Sequence, residues 1–314
     1  MILEKGCKYI NLQSSQIVGS LTLSRNDYDV KYLNLTNCYA DKGVLEKLIS
    51  SCQSLQKLSL AHLRLSSNAI KSCNFQHLQT LYLHHFEGLD LEMMSNILSS
   101  KTLTELSFRY LDIKSDQIVQ YLVENLSSDV EKVSLGKLTR LTDEQLKTLV
   151  ERCKKIKELE LYGCQLLTDD SLKSIVEHSD QIVKLDISYT KIGLGLSWSD
   201  EVGAFVKLLV QGANPFLQIQ SMPKLKYFNC KHNMYDRSYE EIEDLRKLMP
   251  QFRINFGVFG KYIANPNLDP NPKPENGLWE IDVKTIKLFR FCTGAAYRAE
   301  RKRENEKFEI IMKT

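Results

Sequence analysis

Leu159-Glu160-Leu161, with Cys153 six residues before its first leucine and Cys164 five after it, is the stretch from which the fold is read. The pattern returns as Leu33-Asn34-Leu35, Leu58-Ser59-Leu60, Leu81-Tyr82-Leu83, Leu106-Ser107-Phe108, Val133-Ser134-Leu135 and Leu185-Asp186-Ile187. In chain order the seven first positions are separated by 25, 23, 25, 27, 26 and 26 residues. An eighth copy, Phe228-Asn229-Cys230, follows 43 residues after Leu185. One short strand and one helix cannot bury an apolar face alone, whereas stacked copies share a continuous core.

This spacing is the period of leucine-rich repeats. The expected fold is α/β: a curved leucine-rich-repeat solenoid, a right-handed β-α superhelix with a parallel concave sheet. Between the strands lie apolar stripes at helical spacing: Val44, Leu45, Leu48 and Ile49; Leu91, Met94, Ile97 and Leu98; Ile118, Val119, Leu122, Val123 and Leu126; Leu146, Leu149, Val150 and Cys153; Leu172, Ile175 and Val176. Thr142 with Gln145 fits a capping box, and Asp41, Ser115 and Asp169 stand before other helices.

At 314 residues and 43% hydrophobic content the chain can bury a large core. A net charge of +3 supplies no global field for nucleic acid, and no run of about 18 apolar residues spans a membrane. Neither nucleic acid nor membrane is expected as a partner. The segment Met1 to Cys7 lacks the apolar stretch of a secretory signal, which points to an intracellular protein. Cys38 and Cys164 share one place in the repeat register, and Cys52 and Cys153 share another. Thiols locked to the register are expected to be packing residues.

Side chains alternate across a strand, so the residues flanking each buried pair face the concave side. That set includes Tyr82, His84, Arg109, Glu160, Tyr162, Asp186 and Ser188. Tyrosine and arginine among small polar residues suit a protein-binding face; a merely solvated face is the alternative. Regularity fails after Ile187, at Gly193 to Ser199 and again at Gly212-Ala213-Asn214-Pro215. Helices are expected from Val202 to Leu209 and from Ile242 to Met249. Beyond Pro250 the leucine period is gone, and four of the seven prolines lie between Ala264 and Gly277. Trp279, Ile281 and Val283 alternate with charges as in a strand. The expected division is a solenoid at 1–250, a second segment at 251–289 and a charged tail at 290–314.

No GxSxG elbow, HExxH helix or meaningful acid pair appears, so no catalysis, metal or cofactor is expected. Gly257, Gly260 and Lys261 are a poor phosphate loop, better read as a backbone turn. His84 and His85 are adjacent and point to opposite faces of a strand, so they do not share a metal easily. In the tail, Arg298, Arg301, Lys302 and Arg303 alternate with Glu300, Glu304 and Glu306, as on a solvated helix.

Three stretches carry a family likeness: SLQKLSLAHLRLS from Ser54 to Ser66, MPKLKY from Met222 to Tyr227, and LMPQFRIN from Leu248 to Asn255. The run on through Phe259, Ile263-Ala264 and Pro266 to Leu278-Trp279-Glu280-Ile281 is more specific, because it is not repetitive. From about Gly6 to Phe289 the chain resembles the leucine-rich-repeat region of the S-phase kinase-associated F-box proteins, substrate receptors of cullin-based (SCF) ubiquitin ligases. The resemblance implies a non-catalytic substrate-recognition subunit in the nucleus and cytoplasm. It also implies a segment after the repeats that folds back along the concave face. Phe259 would help hold a protein substrate or the small cyclin-dependent-kinase-subunit accessory protein; for Phe259 and Trp279 packing over the repeats is the other role. A phosphorylated cell-cycle regulator would need cations, and Arg109 and Arg140 are the nearest. The expected partner-binding set is Tyr82, His84, Arg109, Tyr110, Arg140, Tyr162, Asp186, Tyr189 and Phe259. Tyr110 stands where the family has tryptophan and Tyr189 where it has aspartate, and one repeat is missing or remodelled between Ile187 and Phe228. The chain begins where the family's first repeats begin, so the ligase adaptor is expected as a partner only with an F-box upstream. An F-box-less interaction scaffold or competing short form is the alternative.

Overall fold

Every strand motif read from the sequence is a strand of one parallel sheet in the computed structural model, and each buries its pair of apolar residues. The structure describes residues 7–17, 29–40, 43–63, 70–71, 73–86, 89–111, 113, 115–193, 215–230, 233 and 253–255. Two compact units divide the chain, Met1–Val258 and Phe259–Thr314, and all described residues belong to the first. The expected helices at 202–209 and 242–249, the strand at Trp279, Phe259 and the charged tail lie outside the described residues.

Among the described residues the sheet holds ten strands: β1 (Tyr9–Asn11), β3 (Tyr32–Asn34), β5 (Lys57–Ser59), β6 (Thr80–His84), β7 (Glu105–Arg109), β8 (Lys132–Ser134), β9 (Glu158–Glu160), β10 (Lys184–Asp186), β11 (Tyr227–Asn229) and β12 (Arg253–Asn255). A two-strand ribbon, β2 (Gln16–Ile17) with β4 (Tyr39–Ala40), lies apart from it. The register aligns like positions of successive repeats, Leu81 with Leu106 and Leu106 with Val133. Two strands extend the series read from the motifs. Ile10 pairs with Leu33 as an earlier repeat, and Ile254 pairs with Phe228 beyond Pro250, inside the stretch assigned above to the second segment.

Helices among the described residues include α1 (Val44–Ser51), α2 (Leu91–Leu98), α3 (Asp116–Asn125), α4 (Asp143–Arg152) and α5 (Asp169–His178). Their apolar stripes join the strand leucines in one core. Two sequence details change. Met93 is fully buried where Leu91 was expected, and Leu91 is 44% exposed, because the Asp90 cap starts α2 one step away from the leucine's buried phase. Thr168 caps α5, which makes Asp169 its first residue rather than the residue before it. The capping box is formed: Gln145 N–H donates to Thr142 Oγ1 (3.4 Å) while Thr142 N–H donates to Gln145 Oε1 (3.1 Å).

Seven described cysteines are free, and all but Cys7 are buried. Burial pushes the Cys73 and Cys164 thiols up to about 12, and those of Cys52 and Cys153 to about 11. Cys164 donates to Leu135 O at 3.1 Å and Cys52 to Leu48 O at 3.1 Å, so these thiols act as small packed donors within the repeats.

Candidate protein-binding face

Leucine pairs facing the helices leave four rows of side chains on the other side of the strands. The first row opens each strand and is charged in its middle: Lys132 Nζ lies 3.0 Å and Lys184 Nζ 3.7 Å from the Glu158 carboxylate. Tyr9 and Tyr32 stack at its end with centroids 4.5 Å apart. These exposed ion pairs fix little energy individually.

The second and third rows are bound to each other across the strands. Thr36 Oγ1 lies 2.6 Å from Ser59 Oγ, His84 Nε2 lies 2.8 Å from Ser107 Oγ, and Arg109 Nε donates to Ser134 Oγ at 2.8 Å. Arg109 also pairs with Glu160, two strands away, which Gly136 permits by placing no side chain between them; a Cβ there would touch Arg109 and Tyr162. Alternation assigned Tyr82 and His84 to this side as accessible anchors. The structure corrects their exposure to 3% and 1%. Strands stand about 4.8 Å apart, so a side chain in the middle of a strand is flanked on both sides. Tyr82 Oη donates to Glu105 Oε1 at 2.7 Å, and its ring meets His84 edge-on at 6.2 Å.

Asp186 is buried on β10 beside Glu160. Its Oδ1 accepts from Ser188 N–H (2.9 Å) and Ser188 Oγ (2.5 Å), and its Oδ2 from Asn229 Nδ2 (2.9 Å). Burial, and then the Glu160 carboxylate, raise its carboxyl to about 6 against the pull of these donors.

The fourth row is the corner at which each strand ends. Ser14, Asn37, His62, His85, Tyr110, Lys137, Gly163 and Tyr189 occupy one register position, and all have φ between +52° and +68°. Each of the first seven is locked to the next repeat by its N–H. That of His62 donates to His84 O (3.0 Å), His85 to Arg109 O (3.0 Å), Tyr110 to Gly136 O (2.9 Å) and Lys137 to Tyr162 O (2.6 Å). The corner therefore carries a ring ladder. His62 stacks on His85 (4.3 Å) and His85 on Tyr110 (4.5 Å, planes 8° apart). Tyr110 leans towards Tyr162 (6.4 Å), Tyr162 meets Tyr189 edge-on (5.0 Å), and Lys137 Nζ sits 5.3 Å above the Tyr162 ring. Left-handed backbone costs about 1–3 kcal/mol for a residue other than glycine, whereas a ring pair returns about 0.5–1.5 kcal/mol. The two are of similar size and the N–H bonds to the next repeat hold the corner as well, so what marks the row as a candidate site is the set of rings lined up on one register position.

The structure thus brings Arg109, Tyr110, Tyr162, Asp186 and Tyr189 together, with Tyr82 and His84 buried nearby on the same sheet. Arg140 is separate. It lies in the loop entering α4, where its Nη1 donates to Asp116 Oδ1 at 2.7 Å, so it does not add to a cationic site with Arg109. Phe259 lies outside the described residues. His62, His85, Lys137 and Glu160 enter the site from outside the expected partner-binding set, Glu160 having been placed on this face and His85 weighed only as a metal ligand. The signal that would have found the first three is their common place, four residues after each first motif residue. Among the described residues no group of three or more His, Cys, Asp or Glu is arranged to hold a metal.

Two solved structures are similar to parts of this chain. An internalin of Listeria monocytogenes superposes with a TM-score of 0.43 at 15% identity, over 75% of this chain and 71% of its own. The tropomodulin C-terminal domain of Caenorhabditis elegans gives 0.31 at 15% identity, over 65% and 95%. A family model described as the SKP2 LRR domain matches residues 1–286. That match covers most of the chain and coincides with a parallel sheet built on the repeat register, and the chain therefore belongs to the SKP2 LRR domain family.

Proposed function

We propose that this chain is the substrate-recognition part of a cullin/F-box (SCF) ubiquitin ligase and captures a cell-cycle regulatory protein, phosphorylated in its bound form, for ubiquitination. Membership of the SKP2 LRR domain family supports an F-box-type substrate-binding role. The observation that carries the reading is the ring ladder held on strained backbone and tied from repeat to repeat. Such a surface is rigid before a partner arrives, so little side-chain entropy remains to be lost on binding. Aromatic residues and arginine are also the side chains that dominate binding energy at protein interfaces. In this reading the chain performs no chemistry; it holds the substrate for a catalytic partner. The ligase's adaptor, the cyclin-dependent-kinase-subunit accessory protein and residence in nucleus and cytoplasm belong to the same proposal.

The test is to purify the tagged product of the whole gene from proteasome-inhibited cells and probe for the ligase adaptor and ubiquitin conjugates. Both should be present, and Tyr110→Ala with Tyr189→Ala should remove the conjugates while the adaptor stays. Bound proteins without adaptor or conjugates would replace this reading with that of an interaction scaffold.

A further inference from the structure

Charge is divided along the edge at which the strands begin. Five positions, the first residue of a strand and the four before it, recur at each turn of the register. At β7 and β8 they hold Lys101 and Lys132 with three acids, Glu105, Asp129 and Glu131. At β9, β10 and β11 they hold six lysines, Lys154, Lys155, Lys157, Lys184, Lys224 and Lys226, with two acids, Glu158 and Asp180. The edge therefore turns from acidic to basic partway along the sheet, although the whole chain carries only +3.

Two rows of this edge leave the excess at its β11 end. Glu131, Lys157, Val183 and Lys226 stand directly before four successive strands, and their backbones are bonded in that order. Lys157 Nζ pairs with Glu131 at 2.8 Å, whereas Lys226 follows a valine. Two residues earlier the row reads Asp129, Lys155, Gln181 and Lys224. Lys155 Nζ pairs with Asp129 at 2.6 Å, whereas Lys224 Nζ donates to the uncharged Gln181 side chain. In each row the acid before β8 is taken by the lysine before β9, and none follows for β11. Lys154 Nζ also donates to a neutral group, the His178 carbonyl, at 3.0 Å. Glu158 is shared between Lys132 and Lys184. Among the described residues no acid is bonded to Lys154, Lys224 or Lys226, and all three are exposed.

We propose that this basic edge, Lys154 with Lys224 and Lys226, binds a short acidic segment of a partner protein. It is a second contact, at the opposite end of the strands from the ring corner, and it does not depend on the ligase reading. Charge complementarity selects the occupant: three exposed ammonium groups without acid partners attract carboxylates and repel a basic segment. The neighbouring pairs Lys155–Asp129 and Lys157–Glu131 are exposed, so opening them towards a ligand costs little. A nucleic acid fits this edge less well. Its bases stack on aromatic side chains, and Tyr227 is the one aromatic residue among these fifteen positions. Glu158 and Asp180 would also stand against a continuous line of phosphates.

The test uses the full chain and a fluorescein-labelled deca-glutamate peptide, followed by anisotropy at about 50 and about 300 mM salt. Deca-lysine and an oligouridylate, labelled alike, serve as counter-probes. Deca-glutamate should bind with a dissociation constant below about 1 mM at low salt and weaken as salt rises. Lys224→Gln combined with Lys226→Gln should weaken it about threefold or more, and Lys154→Gln about twofold, with the thermal midpoint unchanged. Lys147→Gln removes an exposed charge from α4, away from this edge, and should change binding less than about 1.5-fold. Absent deca-glutamate binding, binding indifferent to the edge substitutions, or an equal loss in Lys147→Gln would overturn the proposal. Tighter binding of deca-lysine, or of oligouridylate through the same lysines, would overturn it too, the latter in favour of a nucleic-acid site.

Discussion

At the corner of the sixth motif, Gly163 shows how backbone and side chain can be weighed against each other. Its φ of +68° would strain any side chain, and a Cβ would meet Lys137 Cδ at 2.7 Å. The atoms met belong to the end of a flexible chain, which can swing away, so the backbone effect should win. Gly163→Ala is expected to lower unfolding free energy by about 1–2 kcal/mol. Adding Lys137→Ala should recover less than about 0.5 kcal/mol of it, as read from urea midpoints of both variants. A second residue-scale expectation concerns Asp186. Its carboxyl is raised to about 6 in the fold, against about 3.9 in an unfolded chain. The folded state therefore holds the proton more tightly, and the stability this adds below about pH 4 is lost as pH rises through about 6. Asp186→Asn should flatten that part of the stability–pH curve; an unchanged slope would show that another group titrates there. Sequence patterning assigned Asp186 to the correct side of the strand but could not show its burial, because alternation gives direction and not how close the neighbouring strands stand. The corner was hidden for another reason. Serine, asparagine, histidine, tyrosine, lysine and glycine all occupy it, so no residue type announces its left-handed backbone.

Among the elements, one acid ties the start of α4 to the start of α5. Asp143, the first residue of α4, accepts from Thr168 N–H (2.9 Å), Thr168 Oγ1 (2.7 Å) and Ser171 Oγ, so it organises the start of the following helix. Hydrogen bonds to a charged group contribute about 1.5–3 kcal/mol each before losses are shared. Asp143→Ala is expected to cost about 2–3 kcal/mol, more than the roughly 1 kcal/mol of removing the α4 cap by Thr142→Ala. Equal losses in chemical denaturation would mean that the inter-helix bonds are not formed in solution. Helix positions were well marked in the sequence, since the apolar stripes and the Thr142 box are local signals. What failed were single-residue phases: Leu91 against Met93, and Asp169 against Thr168. Those depend on which residue caps, and several candidate caps stand side by side. Strand β1 was passed over because Tyr9-Ile10-Asn11-Leu12 is followed by no apolar stripe at helical spacing to support it. Strand β12 lay past Pro250, where the leucine pattern had stopped.

Taken over the first compact unit, repetition explains both the core and the face. A leucine pair supplied at each turn of the register builds a shared interior, and the same register lines up the opposite rows so that charges, polar pairs and rings fall into separate bands. A deletion inside one repeat therefore acts on its neighbours. Phe108, fully buried in β7 at the centre of the array, should cost about 3–5 kcal/mol when changed to Ala. Each repeat contacts mainly its neighbours, so hydrogen exchange should quicken in β6 and β8 before it does in β1. The period alone foretold this interior; the bands needed coordinates. The central claim is that a partner is held at the strand-end corner and not on the helices. Its most direct test places a photo-activated cross-linking amino acid at His85 in one protein and at Lys147, on α4, in another, and compares the adducts formed in cells. The account predicts abundant cross-linked protein from position 85 and little from 147. Abundant adducts from 147 with none from 85 would contradict it.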